Sequence, residues 1–178
     1  MKKATYINLL AVCLIILYAL MYLNRKCEAE SMLLTEDDFP ADTIFNDVRS
    51  PIAEMPEVSA GFTASYGESA IYQEVGRFPL VTSAKREFEI AKRNASVQTK
   101  YHGPWETPPE LSNTSSIFQD YYVVCGKVDT KYQCRMIGQY EEYYMFFSTY
   151  ISDNGLTLEM FDDLLKRVDG HVEVCFHE

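Results

Sequence analysis

No G-x-S-x-G, H-E-x-x-H, phosphate-binding loop or glycine-rich dinucleotide turn occurs in the chain. The short signatures of the common hydrolases, zinc proteases, nucleoside triphosphatases and dehydrogenases are therefore missing. Histidine is scarce, with three in 178 residues, and tryptophan occurs once. No histidine adjoins Cys125 or Cys134, and these two cysteines stand nine apart instead of in a C-x-x-C spacing. Both absences argue against a zinc tetrad and against a tuned redox thiol at that pair. Carboxylate pairs do occur, at Glu141-Glu142 and Asp162-Asp163. Adjacent side chains on a strand or helix point apart, so neither pair reads as acid/base machinery.

Acidic residues are absent from the first 27 positions, while all 26 fall at or after Glu28. Twelve basic residues accompany them, so residues 28–178 carry a net charge of −14. A field of that sign repels phosphate backbones and anionic lipid, which excludes nucleic acid as the expected partner and favours a basic one. The apolar fraction of 47% is ample for a core, so the chain is not disordered as a whole.

What is present at the start is a long apolar run. Residues 5–23, "TYINLLAVCLIILYALMYL", contain no charge and are long enough to cross a bilayer as a helix. Met1-Lys2-Lys3 precedes the run, and Asn24-Arg25-Lys26-Cys27 follows it without a small-residue cleavage pattern. This predicts an uncleaved signal anchor over 1–27, with the N-terminus cytoplasmic and the remainder periplasmic or extracellular. The residues before Cys27 lack the small, apolar character of a lipid-modification site. Residues 28–68 are acidic and carry Pro40, Pro51 and Pro56, which predicts a stalk.

The domain is expected over 69–178, with its core at 118–178. Residues 82–96 predict a surface helix capped by Thr82 or Ser83, its thin apolar face led by Phe88. Residues 102–116 hold Trp105 among three prolines and predict irregular chain. Trp105 reads either as a binding ledge or as an aromatic folded back over the core edge. Two glycosylation triplets, at Asn94 and Asn113, fit an exposed surface.

From Asp120 the composition turns to Tyr, Val, Ile and Phe, the residues of half-buried strands. A turn centred on Asp129-Thr130 places Val128 opposite Lys131 and Cys125 opposite Cys134. By alternation the cysteines form a non-hydrogen-bonded pair, whose α-carbons approach to about 4.5 Å, within reach of a disulfide. The alternative is two free core cysteines. The run from Tyr132 to Ile151 is too long for one strand, with Gly138 a candidate bulge and Glu141-Glu142 a candidate break. Alternation puts Tyr140, Tyr144, Phe146 and Tyr150 on one face and Tyr143, Met145, Phe147 and Ile151 on the other. One face is core, and the other needs a helix or a partner. Tyrosine-rich surfaces suit interfaces, so Tyr140, Tyr143, Tyr144, Phe146 and Tyr150 join Trp105 as partner-binding candidates.

Thr157 can cap a helix whose stripe is Phe161, Leu164, Leu165 and Val168, closed by Gly170. The final segment alternates and predicts a strand, with His171, Glu173, Cys175 and His177 on its polar face. Those four are the only metal-like set in the chain, against the plainer reading of a solvated edge. Cys175 can instead pair with Cys27 or bridge to another chain.

These readings predict an α+β protein: one transmembrane helix, then a small antiparallel sheet packed with one or two helices. The expected function is a membrane-anchored, non-catalytic, protein-interaction domain without a cofactor. Its protein partner would be basic or membrane-embedded, making the chain an accessory subunit of an envelope complex or a neutraliser of a basic protein. The alternative from another class is a small-molecule or metal-binding sensor, or an enzyme.

Overall fold

The computed structural model describes residues 12–17, 27–47, 58–111 and 115–177. Seven strands form one sheet: β1 (Ile44–Asp47), β2 (Val58–Tyr66), β3 (Ser69–Arg77), β4 (His102–Glu106), β5 (Asp120–Val128), β6 (Lys131–Tyr140) and β7 (Tyr143–Ile151). Their order across the sheet is β1-β2-β3-β7-β6-β5-β4, and every neighbouring pair is antiparallel. Two helices cover it, α1 (Val81–Ala95) and α2 (Leu158–His177).

Three two-residue turns build the sheet: Gly67-Glu68, Asp129-Thr130 and Glu141-Glu142. Their first residues lie at φ 54°, 55° and 51°, the left-handed region that tight hairpin turns require. Asp129 tolerates it better than most side chains, and Gly67 at no steric cost. The predicted register is observed in full: Val128 faces Lys131 and Cys125 faces Cys134.

Period-2 alternation then sorts side chains into two layers. Val124, Ile137 and Tyr144 face α1, where they meet Phe78, Ala84 and Phe88. Val123, Met136, Met145 and Phe147 face α2, where they meet Phe161, Leu164, Leu165 and Val168. Both faces of the central strands are thus covered by helices, so β7 opens with an unbroken apolar run, Tyr143–Phe147, while β6 keeps Gln133, Arg135 and Gln139 at alternate positions.

Of the segment expected to be a stalk, residues 28–47 and 58–68 belong to this domain, the latter as β2 and the turn that follows it. Cys27, Ala29, Met32, Leu34 and Phe39 are buried against the α2 face. The Tyr143 hydroxyl donates to the Cys27 carbonyl at 2.7 Å, and the Leu34 amide donates to the buried Gln73 Oε1 at 2.9 Å. Phe39, Phe45 and Phe62 form a ring cluster with centroids 5.1–5.8 Å apart. Sparse apolar residues without a period suffice because the sheet face and α2 supply their partners. Residues 48–57 of the predicted stalk lie outside the described residues.

The C-terminal strand is corrected to helix. α2 runs through Gly170 to His177, because Val172 extends the Phe161–Leu164–Leu165–Val168 stripe by one more turn and is fully buried. Val174, which a strand would turn inward with Val172 and Phe176, is 54% exposed. Phe176 packs on Tyr140 and Tyr143, with centroids 4.5 and 5.4 Å away. Residues 102–106 form edge strand β4 instead of irregular chain. An edge position tolerates Pro104, and a register shift between His102 and Trp105 absorbs the misfit. Gly138 lies in register with no bulge; its missing side chain admits the Phe118 ring, which a Cβ would meet at 2.6 Å. α1 starts one residue early, and its N-cap Leu80 offers no side-chain cap.

Of the predicted membrane span 5–23, only residues 12–17 are described; they are helical with exposed side chains, and the rest lies outside the described residues. Among the described residues no helix is long and apolar enough to cross a membrane.

Candidate functional site

The fold collects acid on one side. Segment 28–42 brings Glu28, Glu30, Glu36, Asp37, Asp38 and Asp42 to the face that α2 occupies with Glu159, Asp162, Asp163, Asp169 and Glu173. Lys166 and Arg167 are the basic residues of α2, and both are already paired. Lys166 Nζ lies 2.7 Å from Asp162 and 3.1 Å from Asp163, and Arg167 Nη1 lies 3.4 Å from Asp38. Such exposed pairs stabilise little, but they leave the face strongly negative.

Between segment 28–42 and α2 runs a groove of about 240 Å³. Phe39, Pro40, Leu156, Met160 and Leu164 make its apolar walls, and Asp37, Asp38 and Asp163 its rim. A neighbouring hollow of about 390 Å³, lined by Ser31, His171 and Val174, shares Asp38 and Arg167 with it.

Asp38 joins the two. Its carboxylate accepts from the Thr35 amide at 2.7 Å and the Thr35 hydroxyl at 3.1 Å, fixing the short helical turn, and lies 2.9 Å from His171 Nε2. Burial pushes the Asp38 pKa up, but the Thr35 amide and His171 outweigh it and hold the carboxyl below its usual range. A rim kept ionised above apolar walls suits long basic side chains: their stems lie on Phe39 and Met160 while their heads reach the carboxylates.

The residues singled out from the sequence scatter. Cys125 and Cys134 form the predicted disulfide, with α-carbons 4.1 Å apart. Cys175 is bonded to Cys27, one of the two pairings open to it, so its sulfur is unavailable to a metal. His171 turns to Asp38, Glu173 lies exposed on α2, and His177 ends that helix. The expected polar strand face does not exist, and no cluster of His, Cys, Asp and Glu suited to a metal occurs among the described residues.

Among the partner candidates, Tyr143 and Tyr144 are 2% and 1% exposed, so neither can touch a partner. Burial raises the Tyr144 hydroxyl pKa, with the nearby Glu87 and Glu74 adding to the shift. Phe146 packs beside Tyr72 under α1, and Tyr140 beneath Phe176. Trp105 is half-buried and donates from Nε1 to the Val97 carbonyl at 3.1 Å; it folds back on the sheet. Tyr150 is half-buried on the α1 side. Sequence reasoning missed Asp38. Its signal was Thr35-x-x-Asp38, a capping box that marks a short helical turn in what otherwise read as stalk. Asn94 is exposed at the end of α1, and Asn113 lies outside the described residues.

Two disulfides in a domain of this size are the mark of a chain that folds in an oxidising compartment, extracellular or periplasmic. No family model matches the chain, and no curated protein matches it. It is similar to a crystal structure, the extracellular domain of PknH from Mycobacterium tuberculosis, at 11% identity and a TM-score of 0.47 over 83% of this chain and 100% of that one. At that level no residue or role carries over.

Proposed function

We propose that this chain is a membrane-anchored, extracytoplasmic interaction domain without catalytic activity, and that its partner presents a basic segment to the acidic groove. The observation that carries the reading is the joining of two separate acidic segments, 28–42 and α2, over one apolar-walled groove. Charge spread for solubility alone would have no reason to border Phe39, Met160 and Leu164. Residue 27 is cross-linked into the domain only four positions after the apolar run 5–23. An anchor there would hold the acidic face close to the membrane, where a basic or membrane-embedded partner is within reach.

The test is retention of a partner by the full-length tagged protein in mild detergent, compared with an Asp37→Lys/Asp163→Lys variant. Both positions are exposed, so the variant should fold. A basic partner held at near-stoichiometric amount by the parent, released by salt and lost from the variant, is the expected result. Equal retention by both proteins, or none by the parent, would sink the proposal.

A further inference from the structure

Cys27 and the start of α1 meet at one end of the sheet. The Glu141-Glu142 turn joins β6 to β7 there, β3 arrives with Arg77 opposite Tyr143, and the Phe78 amide donates to the Glu142 carbonyl at 2.9 Å. Cys27 reaches this end on the α2 side, held by its bond to Cys175 and by the Tyr143 hydroxyl at 2.7 Å. α1 begins at the same end on the other side, so Leu80 and Val81 follow directly from Phe78. Tyr101, whose carbonyl accepts from the Asp129 amide at 2.8 Å, marks the opposite end.

Leu80 and Val81 are 57% and 43% exposed, and neither joins the apolar cores on either side of the sheet. Beyond residue 17 they are the only adjacent pair of exposed large apolar side chains among the described residues. Helix formation does not call for them. Leu80 is the N-cap of α1, a position that favours Ser, Thr, Asp or Asn, and its side chain caps nothing.

Chain length decides what lies beneath the pair. Leu23 ends the apolar run and Cys27 follows four positions later, a stretch that spans at most about 14 Å. On the anchored reading proposed above, on which this inference rests, the Leu80 end of the sheet stands within that reach of the bilayer. The Tyr101 end lies farther off by the length of β6, about 33 Å. We propose that Leu80 and Val81 dip into the phospholipid headgroup region of that bilayer and hold the domain upright on its anchor. The −14 charge of residues 28–178 selects a zwitterionic surface over an anionic one. α2 then stands with its C-terminal end toward the lipid, and the acidic groove along its first turns stays open to a partner.

Full-length protein carrying Cys13→Ser, which removes the free thiol, and Thr82→Cys is labelled with an environment-sensitive fluorophore at position 82. It is reconstituted into phosphatidylcholine vesicles with and without headgroup-nitroxide lipid, and a second protein carries the label at Tyr101→Cys. Flotation with the vesicles first reads the anchor itself. The expected result is strong quenching at position 82, little at 101, and loss of the difference in Leu80→Ser/Val81→Ser. Each apolar side chain returned to water shifts the docked-to-free ratio on the order of tenfold. Both side chains are exposed, so the double variant should keep the parent melting curve. Protein that floats with equal quenching at 82 and 101, or with quenching that survives the double variant, overturns the proposal and leaves the anchor standing. Protein that does not float overturns the anchored reading and this inference with it.

Discussion

Replacing both cysteines of one disulfide by alanine, and separately both of the other, tests how the chain is held closed. Cys27 and Cys175 are 148 positions apart, Cys125 and Cys134 only nine. In the chain-entropy account a cross-link stabilises by shrinking the unfolded ensemble, in proportion to the logarithm of the loop it closes. That gives about 5 kcal/mol for the long loop and about 3 kcal/mol for the short one. Each double variant also loses two packed sulfurs, a similar cost that largely cancels in the comparison. The Cys27→Ala/Cys175→Ala protein should therefore be less stable than Cys125→Ala/Cys134→Ala by about 2 kcal/mol. Urea unfolding in mild detergent, followed by circular dichroism, reads the difference. With a slope of about 2 kcal/mol per molar, the midpoints should lie about 1 M apart. Equal midpoints, or a less stable hairpin variant, would refute the loop-closure reasoning. The hairpin disulfide would then act through packing against Val123 and Met136, while the long one merely decorates a tail already docked by Val172 and Phe176.

Gly170→Ala should stabilise the domain by about 1 kcal/mol, because the residue sits inside α2 with open space where a Cβ would go. A lower melting temperature would instead mean that the helix ends there in a left-handed cap. Asp38→Asn should cost about 2 kcal/mol at pH 7, the scale of hydrogen bonds to a charged group. The folded Asp38 pKa is depressed below the unfolded value near 3.8, so its contribution is present above that pH and lost as pH falls through the folded pKa. The melting temperatures of parent and variant should converge below about pH 4; a gap that persists at pH 2 would show that packing, not charge, holds the turn.

How much of this was legible beforehand depended on how local each signal was. The Cys125–Cys134 register needed only a two-residue turn and the period of a strand, both contained in seventeen residues. Alternation in β7 separated Tyr144 and Phe146 from Tyr143, Met145 and Phe147, and the structure keeps that division. Tyr140, expected on the face of Tyr144, lies on the opposite one beside Tyr143 and Phe176, because the Glu141-Glu142 turn reverses the chain and pairs Tyr140 with Tyr143. What alternation could not say was which layer covers each face, so buried tyrosines read as interface candidates. The start of α2 was legible from Thr157, whose hydroxyl accepts from the Met160 amide at 3.3 Å. Its end was not, because three alternating apolar residues resemble a strand as well as one more helical turn.

Local chemistry alone determined the hairpin, the start of α2, the acidic balance of residues 28–178 and the poverty of catalytic motifs. Each is set by neighbours within a few positions or by composition. Tertiary structure decided the rest. It took residues 28–47 out of the expected stalk, because Met32, Leu34 and Phe39 could be buried only once the distant β3 and β7 stood paired. It chose Cys27 for Cys175, and Asp38 for His171 across 133 positions. It also brought the acidic residues of segment 28–42 beside those of α2, since which charges become neighbours depends on which elements pack together.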